Sequence, residues 1–262
     1  MPFTGVHPVA ILPLVRWGLP GSALVMGSIA PDMPMLLPYP AVVHFAHTPV
    51  GLITIDLVIG VIGFVLWQAL FGPAIVAVSP EGLRARLPDR SPAGLAFHCE
   101  DLGRIGRVGA ALLLGAATHL VWDSFTHDWM WGPQHVQWLA LRHGPWMGWE
   151  WVQHISDVAG VAILMAWAMV WWRAAPRRTV TGGLALPIRV LAWLVVLGPS
   201  AVGFLYWLSG GFVYLAFTRG AALGVIGLVS WAVAWRLFLR RVAGDGSPAV
   251  ATARNVTPGQ DV

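Results

Sequence analysis

Residues 51 to 78 read GLITIDLVIGVIGFVLWQALFGPAIVAV, a run whose only charge is Asp56. An α-helix rises about 1.5 Å per residue, so roughly 20 such residues cross a hydrocarbon core of about 30 Å. This run is long enough to cross with some tilt. A backbone at that depth has no water to bond with, so the segment must be helical. The rest of the chain agrees: 57% of the 262 residues are hydrophobic, 11% are charged and mean hydropathy is +0.69. A soluble domain carries about 25% charged residues. The fold class expected is therefore all-α, a polytopic membrane bundle.

Working outward, four more runs are candidate spans, at about 108–125, 155–172, 190–208 and 220–239. With 51–78 they make about five transmembrane helices. Residues 8–30 (PVAILPLVRWGLPGSALVMGSIA) are apolar too, but Gly18 to Gly21 splits them into pieces too short to cross. They read as a re-entrant or interfacial helical hairpin, which returns His7 and Asp32 to one face. A single kinked span would instead part them by roughly 30 Å. Thr48 and Pro49 fit an N-cap and first helical residue. Residues 1–241 are expected to form one integral-membrane domain, and 242–262, small and polar, a disordered tail.

All sixteen basic residues are Arg. They are scattered between apolar runs and form no basic surface interleaved with aromatics, which argues against nucleic acid as a partner and leaves the lipid bilayer. The 79–107 loop, the 173–189 loop and the C-terminal end hold thirteen of them, leaving Arg16, Arg142 and Arg219 for the opposite side. The positive-inside rule then places the N-terminal region outside, in the orientation of a bacterial inner-membrane protein. No cleavable signal is evident, because MPFTGVHP lacks a basic start. The single Cys99 excludes an internal disulfide and a multi-cysteine zinc site, so any metal would be held by His and carboxylates.

Three groups of such donors fall at the expected outer end. The run HLVWDSFTH, residues 119–127, places His119, Asp123 and His127 four apart, each turned about 40° from the last on a helix. His7 and Asp32 come from the two ends of the hairpin. His44 and His47 stand at the mouth of the 51–78 span. Asp56, Glu150, His154 and Asp157 are candidates for supporting or bridging roles. An ionisable residue inside a span is costly unless paired, which sets His119, Asp123 and Asp56 apart from ordinary interfacial residues. His135 and His143 read as interfacial, the tryptophans of 126–154 as belt anchors, and His98 with Cys99, Glu100 and Asp101 as a solvated turn. Arg219 suits either an anionic head group or a snorkelling side chain.

The motifs MPFTGVHP, GSIAPDMP, HFAHTPVGL, HLVWDSFTH and WVQHISDVAG, in that order, resemble an uncharacterised bacterial membrane family, the domain of unknown function 4184. More distantly the chain is similar to the membrane-bound metal-dependent hydrolases, whose pattern is an N-terminal His, a Pro-Asp, a His pair before a span and a His-x-x-x-Asp on a helix. The resemblance implies metal ligands at His7, Asp32, His47, His119 and Asp123, then at His44, His127 and His154. The chain departs from the hydrolases at Pro-Asp-Met-Pro, where they often carry a second Asp and a His.

A histidine and carboxylate set suits a divalent cation, zinc first. The function expected is a membrane-embedded metal-dependent hydrolase acting on a lipid or lipid-linked phosphoester at the outer face, with Asp56 or Glu150 as the catalytic proton acceptor. The alternative is a non-catalytic membrane protein with a structural His/Asp metal site. A transporter would carry polar residues along the depth of several spans, and haem would want histidines on facing helices; neither pattern is present.

Overall fold

The computed structural model describes residues 4–37, 39–88, 92–180 and 183–239. Two short helices come first, α1 (Gly21–Ile29) and α2 (Pro40–Ala46). Five helices long and apolar enough to cross a membrane follow: α3 (Pro49–Val78), α4 (Leu102–Asp123), α5 (Gly148–Ala174), α6 (Leu186–Ser209) and α7 (Val213–Leu239). Among the described residues the one sheet is a two-residue pairing of Arg142–His143 with Trp146–Met147. The chain is a multi-pass all-α membrane protein. The expected disordered tail and Arg90 lie outside the described residues.

The N-terminal segment folds back on itself. A 3₁₀ turn (Thr4–Val9) and a short helix (Leu12–Val15) lead to a reversal at Gly18, whose φ of +73° only glycine adopts freely. Helix α1 then returns beside α4 and passes into a second 3₁₀ turn, Ala30–Leu36, carrying Asp32. The contact between α1 and α4 is backbone to backbone. A Cβ on Gly27 would stand 2.1 Å from the Leu112 carbonyl oxygen, and one on Gly115 2.3 Å from that of Leu24. Small residues permit such approaches between membrane helices, where dispersion and hydrogen bonds replace the hydrophobic drive. Leu24, Ile11, Phe64 and Leu112 complete this core.

Helix α3 is continuous but carries π-helical turns at Leu52–Asp56 and Trp67–Phe71. Thr48 caps it, its hydroxyl accepting from the Gly51 N–H at 2.9 Å. The far end of α3 packs on the α6–α7 hairpin through Ala74, Val78, Ala192 and Trp231, forming a second core away from the ligands. Ile53, Val58, Val61 and Ile62 face outward, as lipid contact requires.

Three helices differ most from the boundaries expected. Helix α4 begins earlier, at Leu102, where the Asp101 carboxylate accepts the Arg104 N–H at 2.8 Å, and stops at Asp123, short of 125. Helix α5 starts at Gly148, inside the expected aromatic loop. Helix α7 starts at Val213, so Arg219 sits within a span and not in a linker. In each case the helix runs on to the nearest cap or turn, which hydropathy does not register. His98 is not solvated either: it is buried edge-on between Phe64 and Phe97.

Candidate metal centre

Four side chains converge where the 3₁₀ turn of Asp32, the end of α2 and the end of α4 meet. His47 Nε2 lies 3.5 Å from Asp32 Oδ1 and 3.3 Å from Asp123 Oδ2. His119 Nε2 lies 3.5 Å and 3.1 Å from the same two oxygens. All four residues are buried, and one donor atom of each lies within 4.8 Å of the others. Donors about 2.1 Å from a tetrahedral ion stand about 3.4 Å apart, so these separations fit the edges of such a shell.

The hydrogen bonds behind the donors fix their chemistry. His119 Nδ1 donates to the Ser28 carbonyl at 2.7 Å and His47 Nδ1 to that of Val43 at 2.8 Å. A carbonyl only accepts, so each Nδ1 carries a proton, and each ring would offer a metal its lone pair at Nε2 once that atom is deprotonated. Thr4 donates to Asp32 Oδ2, leaving Oδ1 facing inward. The two Nε2 atoms and two carboxylate oxygens face one another, and none of the four has a hydrogen-bond partner among the described residues. Two buried negative charges need compensation, which protons on the imidazoles supply without an ion, and two deprotonated imidazoles plus two carboxylates suit a divalent cation in their place. Burial alone would lower the His47 imidazole, but the Asp123 and Asp32 carboxylates outweigh it and raise it to about 9 in the ion-free protein.

Around this core stand more unpartnered groups. His7 stacks on His119 with ring centroids 3.8 Å apart, and its Nε2 lies 3.6 Å from Asp123 Oδ1. His127 Nδ1 lies 3.6 Å from Asp123 Oδ2, and its Nε2 has no partner. It arrives by the turn after α4 and not by helical register, since the helix has ended. Both oxygens of Asp56, on the π-helical turn packed against α4 and the Asp32 segment, are buried and have no hydrogen-bond partner among the described residues.

Other expected site residues lie elsewhere. His44 is exposed, its ring edge-on to Trp129 at 4.6 Å. It shares α2's register, but His47 sits on the C-cap, where the backbone turns away and the pair diverges. His154 is exposed against Trp146. On α5 it is Ser156, bonded by Trp122, that faces α4, and two residues rotate a helix by about 200°. Glu150 accepts the Met147 N–H at 2.7 Å and so caps α5.

Trp129, expected as a belt anchor, instead closes one side of the centre, with its ring 5.7 Å from both His47 and His127. Thr4, which orients Asp32, was not singled out by the sequence either. Beside the centre opens a groove of about 340 Å³, lined in part by His47, His127, Trp129, Tyr214, Leu215 and Arg219.

The sequence profile of one family, described as Domain of unknown function (DUF4184), matches residues 1–240. No curated protein and no solved structure matches the chain.

Proposed function

Since the chain belongs to the DUF4184 family, a family of unknown function, we propose its function from the site itself: a membrane-embedded metal-dependent hydrolase acting on a lipid or lipid-linked phosphoester. The observation that carries the proposal is the convergence of four buried donor atoms without hydrogen-bond partners among the described residues, at the edge of an open groove. Asp32, His47, His119 and Asp123 would hold the ion, with zinc preferred for its His and carboxylate donors. A divalent ion there supplies Lewis-acid polarisation and a nucleophile at neutral pH.

The chain's own residues do the rest. Ser28 and Val43 fix the tautomers and ring orientations of His119 and His47, and Thr4 holds the Asp32 carboxylate. Asp56, buried and without a hydrogen bond, is the carboxylate available to take a proton at Oδ1 or Oδ2. Trp129 shields the centre on the side of the groove. The arginine asymmetry supports placing this end at the extracytoplasmic face of a bacterial cytoplasmic membrane.

A second reading, a structural ion, is favoured by one observation: the four donors come from three separate chain segments, which an ion would tie together. One preparation separates the two. Detergent-purified protein is analysed for metal, stripped, reloaded and assayed on phosphoester lipids. Stoichiometric metal that His119→Ala loses, with turnover that returns on reloading, is the expected result. Metal that stabilises the fold without any turnover favours the structural ion. Equal metal in His119→Ala overturns the site.

A further inference from the structure

We infer that the groove between α2 and α7 is a binding site for the phosphate head and first carbons of an anionic amphiphile that enters sideways from the bilayer, with Arg219 as its anion contact. The inference rests on the hydrolase proposal for its biological sense, but its evidence is the groove's own chemistry. One end of the groove is the metal centre, through His47 and His127; another part is Arg219, two turns into α7. Between them the lining is largely apolar, with Val43 and Leu215 beside Tyr214.

Arg219 is not a snorkelling side chain. One guanidinium NH₂ donates to the Leu36 carbonyl at 3.1 Å, which aims the group at the Asp32 segment and fixes its position beside the groove. A guanidinium carries five donors in a planar fork suited to phosphate, so most of its capacity is left for a bound anion. Arg219 and a divalent ion would flank the groove with positive charge, and the occupant whose charge complements both is a phosphate. The apolar part of the lining, with Met35, Leu37, Val43 and Leu215, selects a molecule that also carries hydrocarbon.

Size limits what the groove holds. At about 30 Å³ for each water-sized group, a groove of about 340 Å³ takes a phosphate and roughly half a dozen carbons. Any longer chain must lie in the surrounding lipid. Recognition therefore falls on the head and the neck of the molecule, and the remainder of the chain is unread.

The test is binding of decylphosphonate, a probe without a scissile ester, to the full-length protein in zwitterionic-lipid nanodiscs, with protein-free discs as the blank. Saturable one-to-one binding is expected. Arg219→Gln should weaken it about tenfold or more, with partial recovery in Arg219→Lys. Because Arg219 also braces Leu36, a second variant is needed: Leu215→Trp fills the groove without changing charge and should weaken binding comparably. Methylphosphonate, which lacks the chain, and decyltrimethylammonium, which reverses the charge, should bind at least about tenfold more weakly. Wild-type affinity in both variants, or equal affinity for methylphosphonate, overturns the inference. Metal content is measured on the same samples. Absent metal with intact, Arg219-dependent phosphonate binding removes the hydrolase and keeps the groove, whereas intact metal with groove-independent binding does the reverse.

Discussion

Asp123→Asn is the most informative single change, because it keeps the shape of the side chain and removes its charge. Asp123 Oδ2 lies 3.1 Å from His119, 3.3 Å from His47 and 3.6 Å from His127, while Oδ1 lies 3.6 Å from His7. Among the described residues no other touches as many of the histidines. Four-donor zinc sites bind with about 10–16 kcal/mol, or roughly 2.5–4 kcal/mol per donor, so weakening one anionic donor should cost on the order of 10²- to 10³-fold in affinity. Stability then reports the loss. At a zinc concentration about 100 times the wild-type Kd, the ion adds about 2.7 kcal/mol, and a 100-fold weaker variant gains only about 0.4 kcal/mol at the same concentration. Chelator competition gives the affinity and thermal unfolding with and without zinc gives the linkage. An Asp123→Asn variant that binds zinc within about threefold of wild type would refute the assignment of Oδ2 as a donor.

Three further outcomes follow from the same geometry. Zinc affinity should rise with pH up to about 9, because His47 in the ion-free protein is raised to about 9 and must give up its proton to the ion; each displaced proton gives about tenfold per pH unit below that, so a rise of at least about tenfold per unit is expected by competition from about pH 6 upward. Gly115→Val would push a side chain into the Leu24 carbonyl, 2.3 Å from where its Cβ must sit, and separate α1 from α4. The expected loss is roughly 1–3 kcal/mol in thermal unfolding, together with zinc, since the His119 to Ser28 bond spans the same contact. Glu150→Gln should keep zinc at wild-type stoichiometry by elemental analysis and lose up to about 1 kcal/mol, as a weakened helix cap does.

Most of the fold was legible because a span is a property of composition. Long apolar runs at the right length gave five helices, and the Gly18 to Gly21 break gave the folded-back N-terminus. The ends were less legible: where α4 stops, or where α7 starts, depends on caps and turns that hydropathy does not see. The same limit governs the centre. His7, Asp32, His47, His119 and Asp123 stand in compact motifs whose order survives in the sequence, and the structure brings them together. His44 and His154 look equivalent in those motifs but point elsewhere, because their direction is set by the last turn of α2 and the rotation of α5. Glu150 is taken by its own helix. Trp129 reaches the centre, and Arg219 the groove beside it, through tertiary packing, and nothing local in WMW or TRG distinguishes them from neighbours that face lipid.

The close contact of α1 with α4 also orders the birth of the protein. Synthesis runs from the amino terminus, so His7, Asp32 and His47 are made while the partner helix is still unwritten, and Gly27 has nothing to dock against until Gly115 follows it. The four donors of the proposed ion are together only when α4 is in place, so binding of that ion would report that the first half of the chain has been inserted. The wall that carries Arg219 arrives last of all. A chain arrested between α4 and α7 would therefore have all four proposed donors but lack one wall of the groove, and translation itself sets the order in which the donor cluster and then the groove are formed.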